Sequence, residues 1–142
     1  MIDPGHFECR VYFEDTDAGG VVYNANYLKF YERARTEYLR AMGYEQDDLL
    51  AQNIVFVVRH IDIDFLQAAR FNEILQVETR IEQLKRASLV FHQTIHATGT
   101  GNDGDGQKRL VNQARVRVVC VSADEFRPLA IPTEIYQELT HE

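Results

Sequence analysis

From Tyr27 to Met42, apolar side chains return every three or four residues: Tyr27, Leu28, Tyr31, Ala34, Tyr38, Leu39 and Met42. That spacing places them on one face of a helix. Lys29, Glu32, Arg33, Arg35, Glu37 and Arg40 fill the intervals and read as the polar face. Glu32 stands three residues before Arg35, and Glu37 three before Arg40, so each pair can add a few tenths of a kcal/mol. Asn24 or Asn26 is the expected cap, and Gly43 the expected left-handed stop. The helix predicted over Ala25–Met42 is roughly 27 Å long at 1.5 Å per residue, the length of one long strand of a sheet wrapped around it.

The rest of the chain alternates with the shorter period of strands. Glu8–Glu14 reads as a first strand, followed after the helix by Ile54–Phe65, Glu73–Leu84, Ser88–Thr98 and Arg109–Ser122. Within Ile54–Phe65 the first half is apolar on both faces, and then Ile61, Ile63 and Phe65 alternate with His60, Asp62 and Asp64. Leu66–Asn72 is a connection and Lys85-Arg86-Ala87 a turn. Two short helices are expected, Tyr44–Gln52 and Thr133–Leu139, the second capped by Thr133. Between Thr98 and Lys108, glycines 99, 101, 104 and 106 with Asn102, Asp103 and Asp105 mark a hairpin tip. One long helix followed by a run of strands with short connections predicts an α+β fold with an antiparallel sheet. One helix on one sheet leaves sheet edges open, and such a sheet usually completes itself against another subunit.

The 142 residues suit a single domain, 1–142, with a full core. The net charge of −7 speaks against nucleic acid, whose phosphates require a basic surface. It leaves room for a small polyanion held by a local cationic patch. The longest unbroken aliphatic and aromatic run, Ile54–Val58, is far shorter than the ~20 residues of a spanning helix. Met1–Arg10 carries no apolar leader segment. Cys9 and Cys120 lie alone in strand-like runs and read as buried free thiols of a reducing compartment.

The chemistry concentrates ahead of the long helix, in Asp15-Thr16-Asp17-Ala18-Gly19-Gly20-Val21-Val22-Tyr23-Asn24. Carboxylates, a glycine turn and a helix start within a dozen residues can aim a reactive side chain and free backbone N–H groups at one point. A calcium loop starting at Asp15 fails, because Gly19 occupies its fifth position and Asn26 its twelfth, where a carboxylate is required. A loop starting at Asp103 fails likewise at Ala114. His92 and His96 share a strand face with no third ligand suggested nearby. His6, His60 and His141 read as surface or strand histidines. No phosphate loop, dinucleotide fingerprint or serine elbow is present. Lys85 and Arg86, with Arg59 and Arg70 near strand ends, read equally as a cationic rim for phosphates or as solvated strand ends.

The stretch Arg10-Val11-Tyr12-Phe13-Glu14-Asp15-Thr16-Asp17-Ala18-Gly19-Gly20-Val21-Val22-Tyr23, continuing through Asn26-Tyr27-Leu28 and Glu32-Arg33-Ala34-Arg35-Thr36-Glu37, closely resembles the acyl-CoA thioesterases associated with the bacterial Tol–Pal cluster. These belong to the 4-hydroxybenzoyl-CoA thioesterase branch of the hot-dog fold. Val55–Arg59, Ala69-Arg70, Ser88–Phe91 and Val118–Val121 fit the same pattern. The resemblance implies a long central helix wrapped by an antiparallel sheet of five to six strands. It implies dimers joined edge to edge through their sheets, often paired into tetramers, and a cytoplasmic location, with the periphery of the inner membrane as the narrower alternative. It implies hydrolysis of acyl-CoA to free acid and CoA, with no cofactor and no metal. Asp17 matches the catalytic carboxylate. Asn24 matches the residue that starts the helix and offers its backbone N–H to the thioester carbonyl. Many members of the subgroup carry histidine there; asparagine keeps the backbone donor but cannot titrate. Tyr23 and Tyr27 are expected to shape the acyl pocket, and Arg59, Arg70, Lys85, Arg86 and Ser88 to meet the nucleotide and pantetheine end.

Asp17 fits two roles, nucleophile forming a mixed anhydride or general base activating water. Two other readings stand beside hydrolysis. A hot-dog dehydratase needs a histidine paired with a helix carboxylate; Glu32 supplies the carboxylate, but no histidine lies between His6 and His60. A non-catalytic module binding acyl thioesters or acyl carrier protein is favoured only by Asn24, and Asp17 with its glycine turn counts against it.

Overall fold

A computed structural model describes residues 4–100 and 108–140. The long helix, α1, runs Asn26–Ala41. A second helix, α2, covers Gln46–Ala51, and a third, α3, Thr133–Thr140. The strands are β1 (His6–Arg10), β2 (Ile54–Phe65), β3 (Ile74–Leu84), β4 (Ser88–Ala97) and β5 (Arg109–Ser122). They form one antiparallel sheet of five strands in the order β1-β3-β4-β5-β2. The predicted hairpin tip at residues 101–106 lies outside the described residues.

α1 lies against one face of this sheet because both surfaces are apolar. Along β4 burial alternates strictly, with Leu89, Phe91, Gln93, Ile95 and Ala97 turned to the helix. Tyr38 meets Phe91 edge to face with ring centroids 5.8 Å apart. Each large side chain buried this way contributes about 1.5–3 kcal/mol. Within α1 the buried stripe differs from the expected one at four positions, Asn26, Leu28, Phe30 and Arg35. Phe30 is buried and Leu28 is 40% exposed. Arg35, assigned to the polar face, is only 9% exposed. Its expected pairing with Glu32 does not form, whereas Arg40 pairs with both Glu37 and Glu45. A polar network threads the core. The Tyr31 hydroxyl donates to Asn112 Oδ1, and Gln93 Nε2 donates to the Tyr31 carbonyl and to Thr79 Oγ1.

The helix ends as the sequence predicts. Gly43 has φ +95°, its N–H reaches the Arg40 carbonyl and Tyr44 N–H the Leu39 carbonyl, a left-handed stop that only glycine enters without strain. The start differs: Ala25 holds the cap position and neither Asn24 nor Asn26 caps. Likewise α3 begins at Thr133, with the Pro132 carbonyl accepting from Tyr136 N–H. The first strand stops at Arg10 rather than Glu14, because Phe13–Asp15 winds into a 3-10 turn held by the Asp15 carboxylate.

Cys9 is half-buried in β1, and Cys120 in β5 is fully buried; both are free thiols. Burial pushes the Cys9 thiol up to about 11, with Asp15 adding to the effect.

Candidate active site

Asp15 and Asp17 part company in the folded chain. Asp15 is 7% exposed, and its carboxylate accepts from Tyr12 N–H at 2.8 Å and from the Asn26 side-chain amide at 2.7 Å. It anchors the turn to the first residue of α1. Asp17 is exposed. Its Oδ1 accepts from Gly19 N–H at 2.8 Å, and its carbonyl from Gly20 N–H at 3.0 Å. A Cβ on Gly19 would sit 3.3 Å from that same Oδ1, and Gly20 has φ +78°, so the two glycines let the turn close tightly under the carboxylate. The buried position therefore belongs to Asp15, while Asp17 faces an open cleft.

The cleft, of roughly 330 Å³, is lined by Asp17, Val21, Tyr23, Asn24, Tyr27 and Phe65, and by residues 66–68. The rings of Tyr27 and Phe65, both in its lining, pack with centroids 6.0 Å apart. Tyr27 is otherwise buried, its hydroxyl accepts from Ala69 N–H at 3.1 Å, and burial raises its pKa, so it stays protonated. Tyr23 is largely exposed at the rim.

α1 contributes its N-terminus. The Tyr23 carbonyl accepts from Asn26 N–H at 2.8 Å, and the Asn24 carbonyl from Tyr27 N–H at 3.4 Å. The N–H groups of Asn24 and Ala25 have no acceptor among the described residues. Such orphan donors, at the positive end of a helix dipole, bind developing negative charge.

The wall opposite is fixed by an ion pair that sequence reading misses. Arg109 forks onto both oxygens of buried Glu73 at 2.7 Å each and donates to the Ala68 carbonyl at 2.9 Å. Arg70 N–H donates to the same carboxylate at 2.8 Å. The Arg109 contacts hold the Glu73 carboxyl below its ordinary value of 4.5. Val22 N–H in turn donates to the Ala69 carbonyl at 2.8 Å, tying the wall to the glycine turn. Two residues far apart in sequence, one at the foot of β3 and one at the foot of β5, carry no local signal of this pairing.

The residues expected to meet the nucleotide end are scattered within one chain. Arg70 borders the glycine turn through the Val21–Arg70 bridge. Arg59 sits at a bulge in the middle of β2. Lys85, Arg86 and Ser88 lie at the β3–β4 turn, at the opposite end of the sheet from Asp17. His92 and His96 point from β4 away from α1 and Glu32, and burial lowers the pKa of both. No group of three or more His, Cys, Asp or Glu side chains able to hold a metal occurs among the described residues.

Residues 11–139 match the family model of the thioesterase-like superfamily. The chain belongs to that superfamily. It is 41% identical to acyl-CoA thioesterase YbgC of Haemophilus influenzae, across 99% of this chain and 98% of the relative. It is 43% identical to acyl-CoA thioester hydrolase YbgC of Escherichia coli O157:H7, across 91% of this chain and 90% of the relative. Among solved structures it superposes on the 4-hydroxybenzoyl CoA thioesterase of Pseudomonas sp. strain CBS-3 with a TM-score of 0.81 at 26% identity, covering 94% of this chain and 96% of that one. A mutant of a 4-hydroxybenzoyl CoA thioesterase complexed with 4-hydroxybenzoyl CoA superposes with a TM-score of 0.80, also at 26% identity, over 94% of this chain and 96% of that one. The sheet-wrapped helix is the hot-dog fold of this superfamily, in agreement with the resemblance carried by Arg10–Glu37.

Proposed function

We propose that the chain hydrolyses acyl-CoA thioesters to free acid and CoA in the cleft between Asp17 and the start of α1. The observation that carries this reading is the juxtaposition of an exposed carboxylate with the orphan N–H of Asn24 in one cleft. The YbgC relatives, thioesterases by name over nearly the whole chain, support the same activity.

The chemistry follows from the charge. Attack on a thioester carbonyl moves electron density onto its oxygen. The N–H groups of Asn24 and Ala25 stabilise that oxyanion, with the dipole of α1 behind them. Gly19 N–H holds one oxygen of Asp17, and the other is left to act. It either attacks the carbonyl carbon, expelling CoA thiolate and leaving an anhydride that water opens, or takes a proton from a water that attacks directly. A thiolate leaves without needing a strong acid, so Asn24 in place of a titratable histidine is compatible with turnover. Tyr23 and Tyr27 flank the reacting carbonyl as walls of the acyl pocket.

The open edge of β2 supports a homodimer. Antiparallel pairing of two β2 strands about a two-fold axis brings the Ile54 end of one beside the Phe65 end of the other. Lys85, Arg86 and Ser88 of a second copy then approach the cleft of the first, and Arg59 lies near the axis. This arrangement gathers the cationic residues at the nucleotide end, which one chain alone does not. A tetramer would pair two such dimers. Acyl-CoA as substrate goes with a cytoplasmic location, and attachment to the inner-membrane surface is the narrower expectation. No described helix is long and apolar enough to cross a membrane.

Thiol release from short-chain, long-chain and aromatic acyl-CoAs tests the proposal, using the wild type, Asp17→Asn and Asn24→His. Turnover that falls at least about a hundredfold in Asp17→Asn is expected, from the typical contribution of a positioned acid–base group. Unchanged turnover in that variant removes Asp17 from the mechanism. Binding of acyl-CoA or acyl carrier protein without turnover in any variant would favour the binding-module reading.

A further inference from the structure

A second cavity, of roughly 370 Å³, lies beyond the cleft in the same groove between α1 and β2. The two share no lining residue: Tyr27 of α1 and Phe65 of β2 line the first, and Leu28 and Ile61 of the same two elements line the second. Leu28, Phe56, Ile61 and Phe91 give the second cavity apolar walls, and Gln46 of α2 with Leu139 of α3 borders its far part. Among the described residues one cation lines it. Arg35 is nine-tenths buried, and its single hydrogen bond among the described residues runs from NH1 to the neutral Gln93 Oε1 at 3.0 Å. No carboxylate among the described residues stands within ion-pair distance. Glu32, one turn nearer the helix start, is exposed and leaves it unpaired. Burial accordingly lowers the Arg35 pKa, with Glu32 opposing the shift.

A buried guanidinium without a counter-ion is costly. Its fork of donors matches one partner best, a carboxylate held by two N–H groups at once. We infer that the groove between α1 and β2 is an acyl channel whose end selects chains terminated by a carboxylate, the half-thioesters of linear dicarboxylic acids, with Arg35 as the selecting residue. The inference rests on the thioesterase reading and adds its substrate class. Reach agrees with it. Asn24 to Arg35 spans about 16 Å of helix, and a helical side chain leans back toward the N-terminus, so the guanidinium stands on the order of 10–12 Å from the oxyanion donors. That is the span of a medium-length chain. Glu32 disfavours an anion arriving there, but it is solvated and screened, whereas Arg35 is not.

The test compares kcat/KM for suberyl-CoA and sebacyl-CoA with octanoyl-CoA and decanoyl-CoA, matched in length and differing in the terminal carboxylate. The wild type is expected to favour the dicarboxylic member by about tenfold or more, equivalent to 1.4 kcal/mol. Arg35→Met is expected to reverse that preference while leaving butyryl-CoA, too short to reach, unchanged. Glu32→Gln is expected to strengthen the preference, and it serves if Arg35→Met fails to fold. Equal preference in wild type and Arg35→Met, or in wild type and Glu32→Gln with octanoyl-CoA favoured, overturns the inference. If butyryl-CoA too is not hydrolysed, the thioesterase reading fails instead. Heat protection by free suberate over octanoate, lost in Arg35→Met, then still supports the anion pocket, and its absence refutes it.

Discussion

Asn26 donates its side-chain amide to Asp15 Oδ1 at 2.7 Å, and so joins the first residue of α1 to the turn that carries Asp17. The distance between the carboxylate and the helix-start donors is set by this clamp. Asn26→Asp places two carboxylates face to face and is expected to cost about 3 kcal/mol of stability, with a large loss of turnover. Adding Asp15→Asn restores every hydrogen bond with the roles exchanged, since the new amide can accept from Tyr12 N–H and donate to the new carboxylate. Asp15→Asn alone is expected to be mild, because Asn26 can turn its amide over. Urea unfolding and kcat on the four proteins check the cycle; an unrescued double variant would refute it.

Asn24→Pro separates a backbone donor from a side chain. Asn24 is the second residue of the turn closed by Asn26 N–H on the Tyr23 carbonyl, a position that suits proline. Its N–H has no acceptor among the described residues. The variant is expected to keep its melting temperature within a few degrees and to lose about 10²–10³-fold in kcat, the usual value of one oxyanion donor. Full activity would exclude that N–H from the reaction.

The fork between Arg109 and Glu73 predicts an acid limb of stability. A carboxyl held below its ordinary value binds protons more readily in the unfolded chain. Its contribution is fully present above about pH 4.5, declines as the pH falls below that, and is gone once the pH passes the lowered folded value. Glu73→Gln is expected to lose about 2 kcal/mol at neutral pH and to flatten this limb. Urea midpoints measured against pH in the two proteins provide the comparison, and parallel curves would contradict the assignment.

Gly20 and Gly43 make a controlled pair. Both have positive φ and open space where a Cβ would stand. Alanine at either is expected to cost about 1 kcal/mol through the backbone alone. Only Gly20→Ala, within the turn under Asp17, is expected to lower kcat. Equal kinetic effects at both sites would show that stability, not turn geometry, controls turnover.

The long apolar runs, unbroken in the first half of β2 and alternating in its second half and in β5, were enough to place both strands to the residue. Pattern failed where single hydrogen bonds override it. Glu8–Glu14 looks extended, yet the Asp15 carboxylate bends its second half into a turn. Arg35 reads as solvent-facing on charge alone. The helix buries a wider stripe than heptad-like spacing implies, and Gln93 on β4 is placed to accept from it. Asp17 and Asn24 were legible as a motif around a helix start. The Glu73–Arg109 wall was not, because the pairing joins segments that only the sheet register brings together. The scatter of Arg59, Lys85 and Arg86 reflects the same limit, since strand order is a long-range property.

Cys120 shows no surface to solvent and lies on β5 opposite Phe56 of β2, whereas Cys9 lies half-buried on the outermost strand β1. A thiol reagent therefore reads two different motions of one molecule. Cys9 reacts when β1 frays from the rim; Cys120 waits until the β2–β5 half of the sheet comes apart. The chain carries its own pair of clocks, one at the edge and one at the centre, and the ratio of their labelling rates measures how far the rim loosens before the body of the sheet gives way.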